Sequence, residues 1–458
     1  MSTIEISSPA SAEASARPDR WSSETGFMLA AAGSAIGLGN IWKFPYIVGE
    51  NGGGAFVLVY LAAIVLIGGP ILLAEMANGR AGGANPYAGV EKLRRAAGAG
   101  PLWRIGGALP LFIGPVVLAF YSVVGGWTLA YAAAAASNGA ALLERPEATF
   151  AALLADPAGA LAMQGLFLAA TGLIVAGGVR GGVERMSGAV MPILFLLVAA
   201  LAVYAAFASN AFGEAAGFVF TPRFSALTAH GVLEAIGHAF FTLSVGAGIV
   251  QAYAARLGGA PKLARNAAAV VGMDTAISLM AAMVVFSFAL SAGVTPDAGP
   301  GLIFITLPAA FAALPFGAFV ALAFFALVAI AALTSAVSLM EPATQFVEER
   351  FGAPRAAAAF IVLAPAAVLG VAAGLSFNVW SDVSILGRTI FDALDAATSN
   401  IALPLCALFA CLIATRLTPA ARLGAETGLS GRPLALLRFL LGVVAPAAIV
   451  IVMAAALL

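Results

Sequence analysis

The chain has 458 residues, 62% of them hydrophobic and 10% charged, with a formal net charge of zero and a mean hydropathy of +1.02. Soluble domains keep their apolar fraction near half, so a water-soluble globule is excluded and the chain reads as a polytopic membrane protein. No basic cluster interleaved with aromatics is present, so no nucleic-acid partner is expected; the expected surroundings are the lipid bilayer, and no protein partner is called for.

Residues 1–20 are rich in Ser, Ala and acidic residues and lack the charged start and apolar core of a secretory signal; they are expected to form a disordered cytoplasmic tail. Apolar stretches of bilayer-crossing length come next at about 26–48, 55–76, 108–136, 161–178, 187–208, 232–255, 267–291, 316–347, 356–375, 390–413 and 434–457, eleven in all. Nothing between them is long enough for a separate soluble domain, so residues 21–458 are expected to be one all-α transmembrane domain. Cys406 and Cys411 fall within one span and face different ways on a helix, which argues against a disulfide between them. Placing the N-terminus in the cytoplasm puts eighteen of the 22 Lys and Arg residues inside and leaves only Lys43, Arg145, Arg223 and Arg388 outside. Eleven crossings then put the C-terminus outside the cell membrane.

The first span is interrupted. Gly33-Ser34-Ala35-Ile36-Gly37-Leu38-Gly39-Asn40 places three glycines in seven residues, and Lys43 and Pro45 come after, which is poor material for an unbroken lipid-facing helix. A break at membrane depth frees carbonyls from one half-helix and amides from the other, and it survives only beside something that satisfies both. A cation and a carboxylate would do so. The sixth span carries a second Gly-rich interruption at Ser244-Val245-Gly246-Ala247-Gly248. Spans one and six each open a set of five, and paired interruptions at corresponding places mark an inverted-repeat transporter with its site between the repeats. The eleventh span then lies outside the pseudosymmetric core.

Residues 33–45, Glu50-Asn51-Gly52-Gly53-Gly54-Ala55-Phe56, Glu75-Met76-Ala77-Asn78-Gly79-Arg80, Phe240-Phe241-Thr242-Leu243-Ser244 and Leu333-Thr334-Ser335 together resemble the neurotransmitter:sodium symporter family. The eleven spans are similar to its bacterial amino-acid branch. The resemblance runs from Trp21 to about span ten and implies Na+ as the coupling ion and an amino acid as the substrate. One Na+ site would use Gly33 and Ile36 carbonyls with Ala331, Thr334 and Ser335; the other, nearer the substrate, would use Ala35, Asn40, Thr242 and Asp274. Read without the resemblance, Thr334 and Ser335 are hydroxyls bonding back to their own helix.

Asp274 lies deep in span seven, where an ionised carboxylate is expensive unless paired. Chloride-dependent members of the family have a neutral Asn at this place, so the resemblance implies transport without chloride here; an Asp kept protonated and hydrogen-bonded is the alternative. Tyr60, Thr242 and Ser278 match the family's chloride pocket, and His238 stands where Gln is usual. Glu75 resembles a carboxylate that braces the broken helices, whereas Glu341 is read only as a structural hydrogen-bonding group.

Monoamine carriers of the family place an Asp where this chain has Gly37, so the ligand is expected to bring its own carboxylate, held by span-one amides around Gly37, Leu38 and Gly39 and by Tyr121. Its ammonium would meet carbonyls of Ala35, Phe241 and Thr242, with Ser244 nearby. The side-chain pocket is expected from Val117, Tyr121, Phe241, Ser244, Ala247, Ser338 and Leu339, an uncharged wall that rejects charged side chains. Ala247 replaces a bulkier residue of narrower relatives and favours a large hydrophobic substrate. Gates over the substrate would be Lys43 with Asp395, under an aromatic lid from Phe241; a snorkelling lysine is the other reading of Lys43. At the inner side Trp21 and Glu349 match the family's gate, with Arg17 or Arg20 as the basic partner, and Arg256 stands where the family has Tyr.

The expected function is therefore sodium-coupled, chloride-independent symport of a neutral amino acid by alternating access. Two alternatives stay open: another carboxylated amine such as a betaine or GABA-like compound, or a sensor that binds without transporting. A membrane-embedded enzyme would need paired catalytic groups, and the two histidines, His230 in an outer loop and His238 alone in span six, do not supply them.

Overall fold

A computed structural model describes residues 20–259, 262–293 and 301–457. The expected tail, Arg20 apart, lies outside these residues, as does Arg17. The chain begins with α1 (Glu24–Ala35) and α2 (Phe44–Glu50), joined by an unwound segment and a wide π turn over Gly39–Lys43. Then come α3 (Gly54–Gly82), the short α4 (Pro86–Ala96), α5 (Pro101–Glu144), α6 (Pro146–Ala155), α7 (Pro157–Ala176), α8 (Val179–Ala208) and α9 (Phe212–Phe220). A second broken pair, α10 (Ala229–Thr242) and α11 (Ile249–Ala255), precedes α12 (Leu263–Ser291), α13 (Leu302–Ala312), α14 (Gly317–Phe351), α15 (Arg355–Leu375), α16 (Ile390–Leu417), α17 (Ala420–Thr427) and α18 (Gly431–Ala456).

The architecture is all-helical, and among the described residues there is no β-strand. Nine of these helices are long and apolar enough to cross a membrane: α3, α5, α7, α8, α12, α14, α15, α16 and α18. The segments expected as spans one and six are absent from that set because each is split into pieces of 7–14 residues, too short to cross alone. Burial separates the centre of the bundle from its rim. The most apolar stretch of α14 is 72% buried, whereas that of α18 is 17% buried. Close approach at the centre relies on small residues: a Cβ on Gly114 of α5 would sit 2.0 Å from the Leu339 carbonyl of α14.

Proline writes the irregularities into the helices. Pro45, Pro70, Pro308, Pro404 and Pro446 each lie two residues after a π turn. A proline ring has no N–H for the carbonyl four residues back and crowds it, so the turn widens. The residue before each proline instead donates to the carbonyl five back: Phe44 to Gly39, Gly69 to Ile64, Leu307 to Leu302, Leu403 to Thr398 and Ala445 to Leu440. The carbonyl that Pro308 leaves without a helical donor, that of Phe304, accepts the Tyr131 hydroxyl at 3.0 Å.

Candidate functional site

Helix α1 stops because Ile36 leaves the helical region (φ −77, ψ 107), and the chain re-enters a helix only at the π turn. Gly37 sits at the break for a steric reason: a Cβ there would lie 2.5 Å from Ser335 Oγ and 3.0 Å from the Tyr121 hydroxyl. Side-chain oxygens, one local and one remote, hold two of the freed amides. The Gly37 amide donates to Asn40 Oδ1 at 2.9 Å, and the Leu38 amide donates to the Tyr121 hydroxyl at 3.3 Å. The second break is tighter. Ser244 adopts a left-handed conformation (φ 52), as do Gly246 and Gly248 (φ 91 and 68). The Gly246 amide donates to Glu75 Oε1 at 2.7 Å, and Ser244 Oγ donates to the Ser34 carbonyl of the first break at 2.7 Å. Glu75 thus braces the second break, and Ser244 ties the two breaks together.

Two oxygen-rich clusters flank the break in α1. In the first, Ser335 Oγ lies 3.4, 3.5 and 3.3 Å from the carbonyls of Gly33, Ser34 and Ile36, and Thr334 Oγ1 donates to the Ala331 carbonyl at 2.9 Å. Gly33, Ile36, Ala331, Thr334 and Ser335 therefore meet where α14 crosses the end of α1. In the second, Asn40 Nδ2 lies 2.7 Å from Asp274 Oδ1, 2.9 Å from Ser278 Oγ and 3.0 Å from Thr242 Oγ1. Thr242 donates to both Asp274 oxygens (3.0 and 3.2 Å), and Tyr60 donates to Oδ2 at 3.3 Å. Asp274, Thr242 and Asn40 are buried to 0–1% exposure. Hydroxyls, carbonyls and one carboxylate form a donor set suited to a hard alkali cation. Among the described residues His238 makes no hydrogen bond through either ring nitrogen; it stacks on Phe44 at 5.5 Å and meets Tyr60 at a tilt at 5.6 Å, the Phe44 and Tyr60 rings being 4.8 Å apart.

Between the breaks is a cavity of about 50 Å³ lined by Ala35, Gly37, Leu38, Gly39, Val117, Tyr121, Phe241, Thr242, Ser244, Ala247, Ser335, Leu339 and Leu403. All but two of these residues are the expected substrate contacts. Ser338, expected in the wall, does not line it. Its hydroxyl donates to the Thr334 carbonyl and accepts from the Tyr253 hydroxyl, both at 2.9 Å, and Ser335, one turn earlier on α14, takes the place. Leu403 of α16 was missed altogether.

On the Lys43 side of this cavity a second one of about 190 Å³ is bounded by Lys43, Trp42, Phe120, Phe241, Asp392 and Asp395 among others. Lys43 lies over the Phe241 ring, 4.7 Å from its centroid, and is in no ion pair among the described residues. Asp395 accepts instead from Ser399 Oγ at 2.7 Å. The expected Lys43–Asp395 contact is thus open in this structure.

The opposite face is shut. The Trp21 indole donates to the Tyr253 carbonyl at 2.8 Å, and its ring meets the Tyr253 ring edge-on at 5.0 Å. Among the described residues Glu349 meets no arginine; it accepts from the Asn85 amide (2.9 Å), Asn85 Nδ2 (2.7 Å) and Gln345 (2.9 Å). The charges gather on the adjacent Glu348 and on Glu341. Arg256 reaches Glu341 (3.3 Å) and Glu348 (2.7 Å), and Arg355 reaches the same two carboxylates (2.5 and 2.9 Å), with Glu341 fully buried. Sequence reading placed Arg256 and Glu341 but not their union. The available signal was the seven-residue spacing of Glu341 and Glu348, which sets both on one face of α14.

Two half-helix breaks facing each other at mid-bundle, beside oxygen clusters, define a secondary transporter of the broken-helix type. The chain belongs to the Sodium:neurotransmitter symporter family, whose description it matches over residues 18–141 and 159–458. Its relatives are sodium-dependent transporters rather than enzymes. An uncharacterised sodium-dependent transporter of Bacillus subtilis, YhdH, is 38% identical over 391 residues, which is 85% of each chain. A counterpart in Haemophilus influenzae is 32% identical over 397 residues, covering 85% of this chain and 87% of that one. Among solved structures, the crystal structure of MhsT in complex with L-phenylalanine is similar, with TM-score 0.88 and 38% identity, covering 96% of this chain and 100% of that one.

Proposed function

We propose that this sodium-dependent transporter carries a large neutral amino acid into the cell, coupled to Na+ and without chloride. In this reading residues 21–458 form one domain of eleven crossings, the nine long helices plus the two broken pairs, in the plasma membrane with the N-terminus inside and the C-terminus outside. One observation carries the substrate class: the 50 Å³ cavity is lined by span-one backbone at Gly37, Leu38 and Gly39 and by the Tyr121 hydroxyl, with apolar side chains and the residues Thr242, Ser244 and Ser335 elsewhere and no charged side chain. A zwitterion fits such a site because its own carboxylate and ammonium replace the charges that the walls lack, and a charged side chain would be buried unpaired. L-phenylalanine bound to the similar MhsT agrees with this class.

Na+ is assigned to the two oxygen clusters, one at Gly33, Ile36, Ala331, Thr334 and Ser335 and one at Ala35, Asn40, Thr242 and Asp274. The Asp274 carboxylate supplies the fixed negative charge there. Because the second cluster shares Thr242 and Ala35 with the cavity wall, sodium binding orders the wall and raises substrate affinity, and substrate raises sodium affinity by the same factor. The test is thermal-shift screening of the common amino acids in sodium against potassium buffer, then uptake into sealed proteoliposomes. Sodium-specific stabilisation by Trp, Phe, Tyr or Leu and concentrative uptake are expected, unchanged when gluconate replaces chloride. Equal responses in potassium, a preference for Gly, or binding without accumulation would overturn the proposal.

A further inference from the structure

Leu403 stands apart in the cavity wall because its helix, α16, carries neither break. Two independent features bring it to the cavity. The first is Pro404, whose missing N–H widens the preceding turn, so that the Leu403 amide donates to Thr398, five residues back. One extra residue in a turn rotates the rest of the helix by about 100° relative to an unbroken one. The second is Gly246 at the break in span six, with φ 91: a Cβ there would lie 2.2 Å from the Leu403 carbonyl, so the backbones of α16 and the break are in direct contact. A side chain held from both directions cannot yield by rotation of its helix. Leu403 is 9% exposed and lines a cavity of only about 50 Å³.

We infer that Leu403 is a specificity-determining residue: it closes the side-chain end of the cavity beside Ala247 and sets the largest apolar side chain the transporter accepts. The inference rests on the amino-acid reading above and deepens it. Ala247 makes room, and Leu403, whose carbonyl lies against the neighbouring Gly246, limits that room at the same end. Substitution at 403 should therefore change the ranking of substrates rather than the dependence on sodium, because no atom of Leu403 belongs to either oxygen cluster.

The experiment is equilibrium binding of radiolabelled Trp and Leu to the purified full-length protein in sodium and in potassium, for wild type, Leu403→Ala and Leu403→Phe. A few methylenes in an apolar pocket discriminate by about tenfold or more. Leu403→Ala should raise the Trp-to-Leu affinity ratio by about tenfold, and Leu403→Phe should lower it by a similar factor, with the sodium requirement intact in both. Should Leu403→Ala fail to fold, Leu403→Val reads the same direction with a smaller change. If wild type binds Trp or Leu only with sodium and the variants keep the wild-type ratio within about twofold, this inference is overturned and the amino-acid reading stands. If wild type binds neither, both fall.

Discussion

At the Trp21 face, Arg256 just past α11, Glu341 and Glu348 of α14 and Arg355 of α15 meet in one cluster around the fully buried Glu341, and an indole closes over the end of α11. At the Lys43 face, a lysine rests on an aromatic ring and the aspartate expected to pair with it bonds a neighbouring serine, above a cavity of about 190 Å³. In the proposed orientation the first face is cytoplasmic and the second external. The difference lies in solvation. The fully buried Glu341 cannot lose a partner without heavy cost, whereas the partly exposed Lys43 and Asp395 part for less because water replaces the partner. The inner face is therefore built to stay shut until something drives it open, and the outer face is built to admit a solute at small expense.

The sharpest way to break this contrast is Glu341→Gln, which removes one fully buried carboxylate from between Arg256 and Arg355. Loss of one partner of a buried pair costs about 3–5 kcal/mol. The thermal midpoint should fall, and a cysteine placed near the inner end of α1 should label faster, whereas Asp395→Ala at the outer face should shift the midpoint by less than about 1 kcal/mol equivalent. Equal effects at the two faces would dissolve the comparison. Next in size is Asn40→Ala. It strips the amide that joins Asp274, Thr242 and Ser278 and leaves buried acceptors unsatisfied, at about 1–3 kcal/mol. Sodium-dependent stabilisation should drop by a corresponding 5-fold or more in apparent affinity, roughly, in a sodium titration of the thermal midpoint.

Trp21→Phe keeps the ring contact with Tyr253 and removes only the indole N–H, worth about 1 kcal/mol. Inner-face labelling should rise modestly while substrate affinity stays near wild type. Lys43→Met tests the outer face alone. The cation over Phe241 contributes about 1 kcal/mol at this half-buried site, so substrate should dissociate a few-fold faster with no change at the inner face.

The smallest effect concerns the inner surface. Arg94, then Arg104 and Arg95, donate to Glu91 and hold its carboxyl well below the usual carboxylate range. A depressed value means that the unfolded chain takes up the proton first. The contribution is therefore full above the ordinary value of 4.5 and is lost as pH falls through the lower folded value. Thermal midpoints on acidification should fall more steeply for wild type than for Glu91→Gln, and the difference should shrink with added salt.

The two breaks could be read from the chain because glycine clusters are local, and the Asn40, Thr242 and Asp274 grouping came from resemblance. Long-range pairing and fine rotation were the parts that composition could not supply. Arg256 and Arg355 find the same carboxylates only once α11, α14 and α15 have packed. Ser335 and Ser338 are three apart and share one face of α14, so periodicity alone could not say which enters the cavity. Leu403 required the register of a turn widened by Pro404, and a helix-wheel reading of span ten cannot include that extra residue.

Those proline-set turns carry a practical corollary. Each ring fixes the angular relation between the two ends of its helix, so a chimera that joins part of this chain to part of a relative must keep Pro45, Pro70, Pro308, Pro404 or Pro446 on the same side of the junction as its turn. A splice that separates them would swing one end of the rod by more than a quarter turn, bringing residues chosen for lipid into the interior. The safest places to cut are the short connections, where no such angular memory is stored.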